Sequence, residues 1–171
     1  MEIVERQAPR RILEIGTARG GTLFLFSRAA APDALLVSLD LPQGKYGGGY
    51  SAWKTRVFRR LLRTGQRAGF VRADSHERAS LDRIRQYFKG EKLDLLFIDG
   101  DHTHEGVKQD YELYSPLVRD GGLIVFHDIA KHRPELECHV DRFWDEVKGG
   151  FQSQEIIADR QQGWAGIGIL N

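Results

Sequence analysis

The chain has 171 residues, 41% of them hydrophobic and 29% charged, which suits one domain with a packed core and argues against wholesale disorder. Lysine and arginine total 25 against 24 acids, so the net charge of +1 does not mark a binder of nucleic acid or membrane surface. The longest apolar runs fall far short of a membrane span, MEIVERQAPRR lacks the apolar centre of a signal peptide, and Cys138 alone supports neither a disulfide framework nor a cysteine-rich zinc site; a reducing, cytoplasmic setting is expected.

Residues 11–15 read as a first strand ending at Gly16, followed by a helix over 21–30. Residues 34–39 form a second strand that ends at Asp40. The segment 42–50 is loop, because four glycines and a proline disfavour both regular structures. Ser51 is placed to cap a helix over 52–65, whose apolar members Trp53, Val57, Phe58, Leu61 and Leu62 share one face. A short third strand covers 70–73, and Ser75 or Ser80 opens the next helix, with Leu81, Ile84, Tyr87 and Phe88 at helical spacing. A fourth strand (93–98) ends at Asp99, a helix spans 104–117, and a fifth strand (122–126) ends at His127 and Asp128. A helix over 136–147 precedes a closing antiparallel pair at 154–158 and 165–170.

Strands and helices that alternate in this way, with nearly continuous apolar strands, indicate a parallel sheet covered on both faces. Glu14, Asp40, Asp74, Asp99 and Asp128 all fall at or near the C-terminal ends of strands. The ligand crevice of an open α/β sheet lies there. In the first loop, Gly16 permits a tight turn and Gly20 a close backbone approach, but the spacing is not the G-x-G-x-x-G of dinucleotide binders. A carboxylate at Glu14 would repel a pyrophosphate at the helix N-terminus and favour a ligand with positive charge. The sulfonium and ammonium of S-adenosylmethionine are such charges. Asp40 suits a bidentate contact to ribose hydroxyls. The plainer readings are a solvated strand end for Glu14 and a turn former for Asp40.

LEIGTARGGT followed by VSLD resembles the first two motifs of class I S-adenosylmethionine-dependent methyltransferases. FIDGDHTHEGVKQDYELYSPLVRDGGLIVFHD and the ending WAGIGIL are similar to methyltransferase family 24 and to the catechol O-methyltransferase-like enzymes of small molecules. The resemblance spans residues 10–170. It implies a Rossmann-like seven-stranded sheet of order 3-2-1-4-5-7-6, with strand seven antiparallel. It assigns Glu14, Gly16, Gly20 and Thr22 to the methionine end of the cofactor, Asp40 to the ribose, and Ala73, Asp74 and Ser75 to the adenine neighbourhood. Asp74 either accepts from the adenine amino group or caps a helix.

Neighbouring strands lie about 4.8 Å apart, so Asp99 and Asp128 can share a cation. Oxygen ligands suit Mg²⁺, and the resembling metal-dependent enzymes place ligands at the positions of Asp99, His127 and Asp128. His127 stands where that family often has an acid or amide. An imidazole ligand tilts the preference toward Mn²⁺, Fe²⁺ or Zn²⁺. The alternative is that Asp99 contacts the cofactor or caps the following turn, Asp128 caps the next segment and His127 binds no metal. His102, three residues after Asp99, is the candidate general base, since related enzymes use a lysine at that spacing; a metal-ligating or supporting role is the alternative. Asp101 reads as a turn residue or, in place of Asp99, as a ligand; His104 reads as a solvated helix start; His132 reads as an exposed loop residue or as one that approaches the site from the loop after strand five.

Residues 41–73 hold no acid and eight basic side chains: Lys45, Lys54, Arg56, Arg59, Arg60, Arg63, Arg67 and Arg72. Arg56, Arg59, Arg60 and Arg63 form a helix stripe that is either plain solvated surface, a selector for an anionic small-molecule acceptor, or a weak RNA contact that no RNA-specific motif supports. Tyr46, Tyr50 and Trp53 either form a lid on the crevice or belong to a disordered connection. About ten residues precede the first strand, where small-molecule O-methyltransferases carry extra helices; a reduced cap, a homodimer partner and a truncated chain are the three readings. The function expected is metal-assisted O-methylation of a small hydroxylated metabolite. The rivals are a metal-independent methyltransferase, a cephalosporin-hydroxylase-like family member, and a non-catalytic module that binds the cofactor or RNA.

Overall fold

Residues 12–15, 36–40 and 93–98 are buried at every position, as strands must be when helices cover both faces of a sheet. The computed structural model of the chain describes residues 1–44 and 48–171. Its strands are β1 (Arg11–Ile15), β2 (Leu35–Asp40), β3 (Arg67–Arg72), β4 (Leu93–Ile98), β5 (Val118–His127), β6 (Ser153–Ile156) and β7 (Ile167–Leu170). They form one sheet of order β3-β2-β1-β4-β5-β7-β6. β1 to β5 run parallel, and β7 is antiparallel to both β5 and β6, as the expected topology requires. The helices are α1 (Glu2–Gln7), α2 (Gly21–Ala29), α3 (Lys54–Leu61), α4 (Arg78–Phe88), α5 (His104–Tyr114) and α6 (Val140–Val147).

Alternate strand residues supply two cores. Ile12, Leu36, Leu95, Phe97 and Val125 pack with Leu23 and Phe26 of α2 and Phe58 of α3. Leu13, Ile15, Val37, Leu39, Leu96 and Ile98 pack with Ile84, Val107, Tyr114, Phe143 and Trp144 from α4 to α6. Each such side chain stabilises the fold by about 1.5–3 kcal/mol. A one-residue slip of any strand would exchange the two sets, so burial pins the register.

Several boundaries differ from expectation. β3 starts at Arg67 rather than 70, because its backbone pairs with β2 from Leu35–Arg67 onward, and an edge strand tolerates polar side chains. α3 runs from Lys54 to Leu61, not 52 to 65, and Ser51 does not cap it. Only Phe58 of this helix is buried; Trp53 and Val57 stand 63% and 43% exposed. α4 is preceded by Glu77, not by Ser75 or Ser80, and Ser80 is buried within it. α1 was unmarked by sequence pattern and contributes Val4 to the core. Lys45 and Tyr46 lie outside the described residues. Tyr50 is buried, with its hydroxyl 2.8 Å from Ser38 Oγ, so that end of the glycine-rich loop is anchored.

Candidate active site

From β1 the chain order runs outward both ways, to β2 and β3 on one side and to β4 and β5 on the other. The loops after β1 and β4 therefore diverge and leave a crevice at the C-terminal ends of the strands. Gly16 makes this possible. Its φ is +84°, its N–H donates to the Leu39 carbonyl at 2.9 Å, and a Cβ on it would overlap the carbonyl of Asp99. The crevice has a volume of about 390 Å³, within the range of small-molecule sites. Gly16, Asp40, Ala73, Asp74, Ser75, Asp99, His102, His127 and Asp128 all line it. Glu14, Gly20 and Thr22 do not.

Glu14 projects from β1 toward α2 and is fully buried beneath the first loop. Thr17 Oγ1 donates to Glu14 Oε2 at 2.6 Å and lies 2.7 Å from Ser38 Oγ, which lies 2.8 Å from the Tyr50 hydroxyl. With the Thr17 proton given to Glu14, Ser38 donates to Thr17 and Tyr50 to Ser38, one directed chain. Among the described residues, Glu14 Oε1 has no hydrogen-bond partner. Burial, opposed by the Thr17 bond and reinforced by Asp99 and Asp40, pushes its carboxyl up to about 8. Burial thus favours the neutral carboxyl, and the side chain lies under the first loop rather than in the crevice lining. Gly20 serves packing: its φ is +82°, and a Cβ would lie 2.6 Å from Phe58 Cε1.

Asp40 is the carboxyl that lines the crevice on this side. Its Oδ2 accepts from Thr17 N at 3.0 Å and Ala18 N at 2.6 Å, and its Oδ1 accepts from Gly49 N at 2.8 Å. Burial raises its pKa and these three N–H groups oppose the rise. The carboxylate thus ties two loops together while lining the crevice.

At the other side, β4 and β5 deliver Asp99 and Asp128 to one point. His127 Nδ1 lies 3.0 Å from Asp128 Oδ1 and 3.3 Å from Asp99 Oδ1. His102 bridges the same acids, Nε2 at 3.5 Å from Asp99 and Nδ1 at 3.3 Å from Asp128. His132 Nε2 is 3.2 Å from Asp128 Oδ1. That imidazole is 5% exposed, not the exposed loop residue expected, because Nδ1 pairs with the Ala130 carbonyl and Nε2 accepts from Ala165 N. Its partner Ala165 comes from the loop before β7, and no local pattern in the sequence announces that meeting. Asp128 itself sits at φ +63°, a left-handed conformation costly for a residue with a Cβ and frequent at functional sites. Asp101 accepts from Thr103 N at 2.8 Å in a turn, and His104 opens α5 between Glu105 and Glu146.

The electrostatics of this cluster are those of opposed charges out of water. Burial works against a charged His127, but bonds to Asp128 and Asp99 outweigh it and push the imidazole up to about 10. His102 behaves alike, burial being outweighed by Asp99, the Cys138 thiol and Asp128, and also reaches about 10. Burial raises the Asp128 carboxyl, and the surrounding imidazoles bring it below the usual range. The donor set fits a metal ion. Asp99, His127 and Asp128 offer ligand atoms within 4.8 Å of one another, and among the described residues His127 Nδ1 is buried without a hydrogen bond of normal geometry. His102, Asp128 and Cys138 form a second such group among the described residues.

A family profile described as a methyltransferase domain matches residues 13–129, more than half of the chain, from within β1 to just past the end of β5. The chain belongs to the methyltransferase-domain family. This methyltransferase domain is 29% identical over 150 residues to the protein y4gI of Sinorhizobium fredii, covering 86% of the chain but only 16% of that protein, so it corresponds to a small part of that relative. Its fold is shared with Rv0187 from MTB, solved bound to a cofactor (TM-score 0.69, 22% identity, 98% of this chain and 75% of that one). It is also shared with the O-methyltransferase TomG from Streptomyces achromogenes, solved with S-adenosylmethionine (TM-score 0.63, 18% identity, 98% and 75%).

Proposed function

We propose that the domain transfers a methyl group from S-adenosylmethionine to a hydroxyl of a small molecule, with a divalent cation at Asp99, His127 and Asp128. The observation that carries this reading is the convergence of those three side chains, with His127 Nδ1 3.0 Å from Asp128 and 3.3 Å from Asp99, at one end of a crevice whose other wall is the glycine turn. The donor would supply an electrophilic sulfonium methyl, and a cation would lower the pKa of the acceptor hydroxyl. Asp40 and the N–H groups it organises shape the nucleoside side. Asp74 and Ser75 edge the base side. His102 stands beside the acids, where it would hold the acceptor proton; in-line displacement needs acceptor and methyl held close and collinear.

A second reading has its own support. His102 and His127 both carry protons at neutral pH in this arrangement, and two imidazoliums balance the two carboxylates without a metal. In that case His102 is a donor that orients the acceptor oxygen. The imidazole content also favours Mn²⁺ over Mg²⁺ if a cation binds.

Calorimetry with S-adenosylmethionine, S-adenosylhomocysteine and NAD tests the donor: binding of the first two and not NAD is expected, and NAD binding alone overturns the reading. Methyl transfer assayed in EDTA, then with Mn²⁺ restored, separates the two versions. Activity that survives chelation selects the metal-free one.

A further inference from the structure

Asp128 turns its two carboxylate oxygens to different partners. Oδ1 meets His127 Nδ1 at 3.0 Å and His132 Nε2 at 3.2 Å, while Oδ2 meets His102 Nδ1 at 3.3 Å. The Oδ1 side belongs to the Asp99–His127–Asp128 group. On the Oδ2 side stands Cys138, just before α6, buried and hydrogen-bonded through its thiol to the His102 imidazole. His139 N donates to the His102 carbonyl at 2.8 Å, which pins the approach to α6 against the loop after β4. His102, Asp128 and Cys138 thereby bring a nitrogen, an oxygen and a sulfur within 4.8 Å of one another. A buried cysteine commonly serves as a small apolar side chain. Packing alone, however, does not call for an imidazole and a carboxylate beside the thiol.

We infer that His102, Asp128 and Cys138 form a second cation site, for a thiophilic divalent ion such as Zn²⁺, with the Asp128 carboxylate shared between this site and the Asp99–His127 side. The ligand set decides the class of ion. Mg²⁺ and Ca²⁺ select oxygen, whereas Zn²⁺ takes thiolate, imidazole and carboxylate together. Three protein ligands leave one position of a tetrahedral ion for water or a bound group. Loading the site releases the thiol proton, and any proton on the ligating imidazole nitrogen, to solvent, because only thiolate and neutral nitrogen ligate. The ion then supplies the positive charge that this buried carboxylate needs. Nδ1 is the nitrogen of His102 on the Asp128 side, so Nε2, 3.5 Å from Asp99 Oδ1, stays at the crevice that His102 lines. A loaded site therefore selects between the two roles open to His102: it fixes the ring as an oriented donor and removes it as a base. The inference stands whether or not the crevice takes S-adenosylmethionine, which the calorimetry above tests separately.

The test uses Co²⁺ as a spectroscopic stand-in for Zn²⁺, added to the full chain under reducing conditions. Cys138 is the one cysteine of the sequence, so a thiolate-to-cobalt charge-transfer band in the near ultraviolet has no other source. The wild type should develop this band as Co²⁺ is added and lose it as Zn²⁺ displaces the cobalt. Cys138→Ser should show no band. His102→Gln keeps the thiol but loses a ligand, and should need more Co²⁺ to reach the same absorbance. Asp99→Asn lies outside the site and should keep the band. The wild-type titration requires no variant, so a poorly folded Cys138→Ser does not leave the question open. Cobalt bound to the wild type without the band, or no cobalt bound at all, overturns the inference. Loss of the band in Asp99→Asn as complete as in Cys138→Ser would merge the two sites into one and overturn it as well.

Discussion

The two sides of the crevice are built on opposite principles. On the β1–β2 side the polar groups satisfy one another: the Asp40 carboxylate takes three backbone N–H groups, and a chain of hydroxyls runs from Tyr50 to Glu14. On the β4–β5 side Asp128 is ringed by His102, His127 and His132 at 3.0–3.3 Å, its own backbone is left-handed, and among the described residues His127 Nδ1 lacks a proper partner. The first side is pre-organised without a ligand. The second holds opposed charges out of water and gains from a proton or a cation placed among them.

The largest expected effect falls on the pre-organised side. Gly16→Ala forces a Cβ into the Asp99 carbonyl at a positive φ, and should cost about 3 kcal/mol or more. For a chain of this length that is a fall of roughly 6–12 °C in the unfolding midpoint, measurable by circular dichroism. A midpoint within experimental error of wild type would show that the β1 turn is soft.

Glu14 offers the next test. Its folded-state pKa lies above its unfolded value, so the folded protein keeps a proton that the unfolded chain releases. Stability from this group is fully present below about pH 4.5 and declines as pH rises toward 8. Glu14→Gln keeps an oxygen for Thr17 and removes the titration. It should flatten the stability–pH curve by roughly 1–3 kcal/mol between pH 5 and 8. Urea melts at several pH values check this, and parallel curves for the two proteins would mean that Glu14 is solvated.

On the charged side, Asp128→Asn preserves shape and the left-handed backbone while removing the shared carboxylate. Mn²⁺ affinity, read from the paramagnetic signal of the free ion, should drop at least about tenfold, or ~1.4 kcal/mol. Unchanged affinity would place any cation elsewhere. The smallest effect is expected at Asp101→Asn, since asparagine can accept from Thr103 N equally well. Stability should move by less than about 0.5 kcal/mol and Mn²⁺ affinity not at all; a large loss would enlarge the ligand set to include Asp101.

Much of the frame was legible in the sequence. The apolar runs ending at Gly16, Asp40, Asp99 and Asp128 marked the strands that meet at the crevice, and nine of the residues singled out do line it. Backbone pairing at the edge strand was less legible, since Arg67 and Ala68 carry no strand pattern yet pair with Leu35 and Leu36. The arginine stripe was legible only as charge. Arg59 lies over the Phe70 ring, and Arg63, outside α3, reaches carbonyls of residues 28 and 30.

Periodicity along the chain determined the layered architecture and delivered acids to the ends of strands, because alternation and burial are local properties of a strand. Which atoms then met was decided by tertiary structure alone. Glu14 went under the loop rather than into the crevice because its position in β1 points to the α2 face. His132 joined Asp128, and His76 came to rest on Asp110, through contacts between segments 33 and 34 residues apart or folded back across a loop. Hydrogen-bond distance between such groups depends on how loops from different strands lean together, which no stretch of sequence encodes by itself.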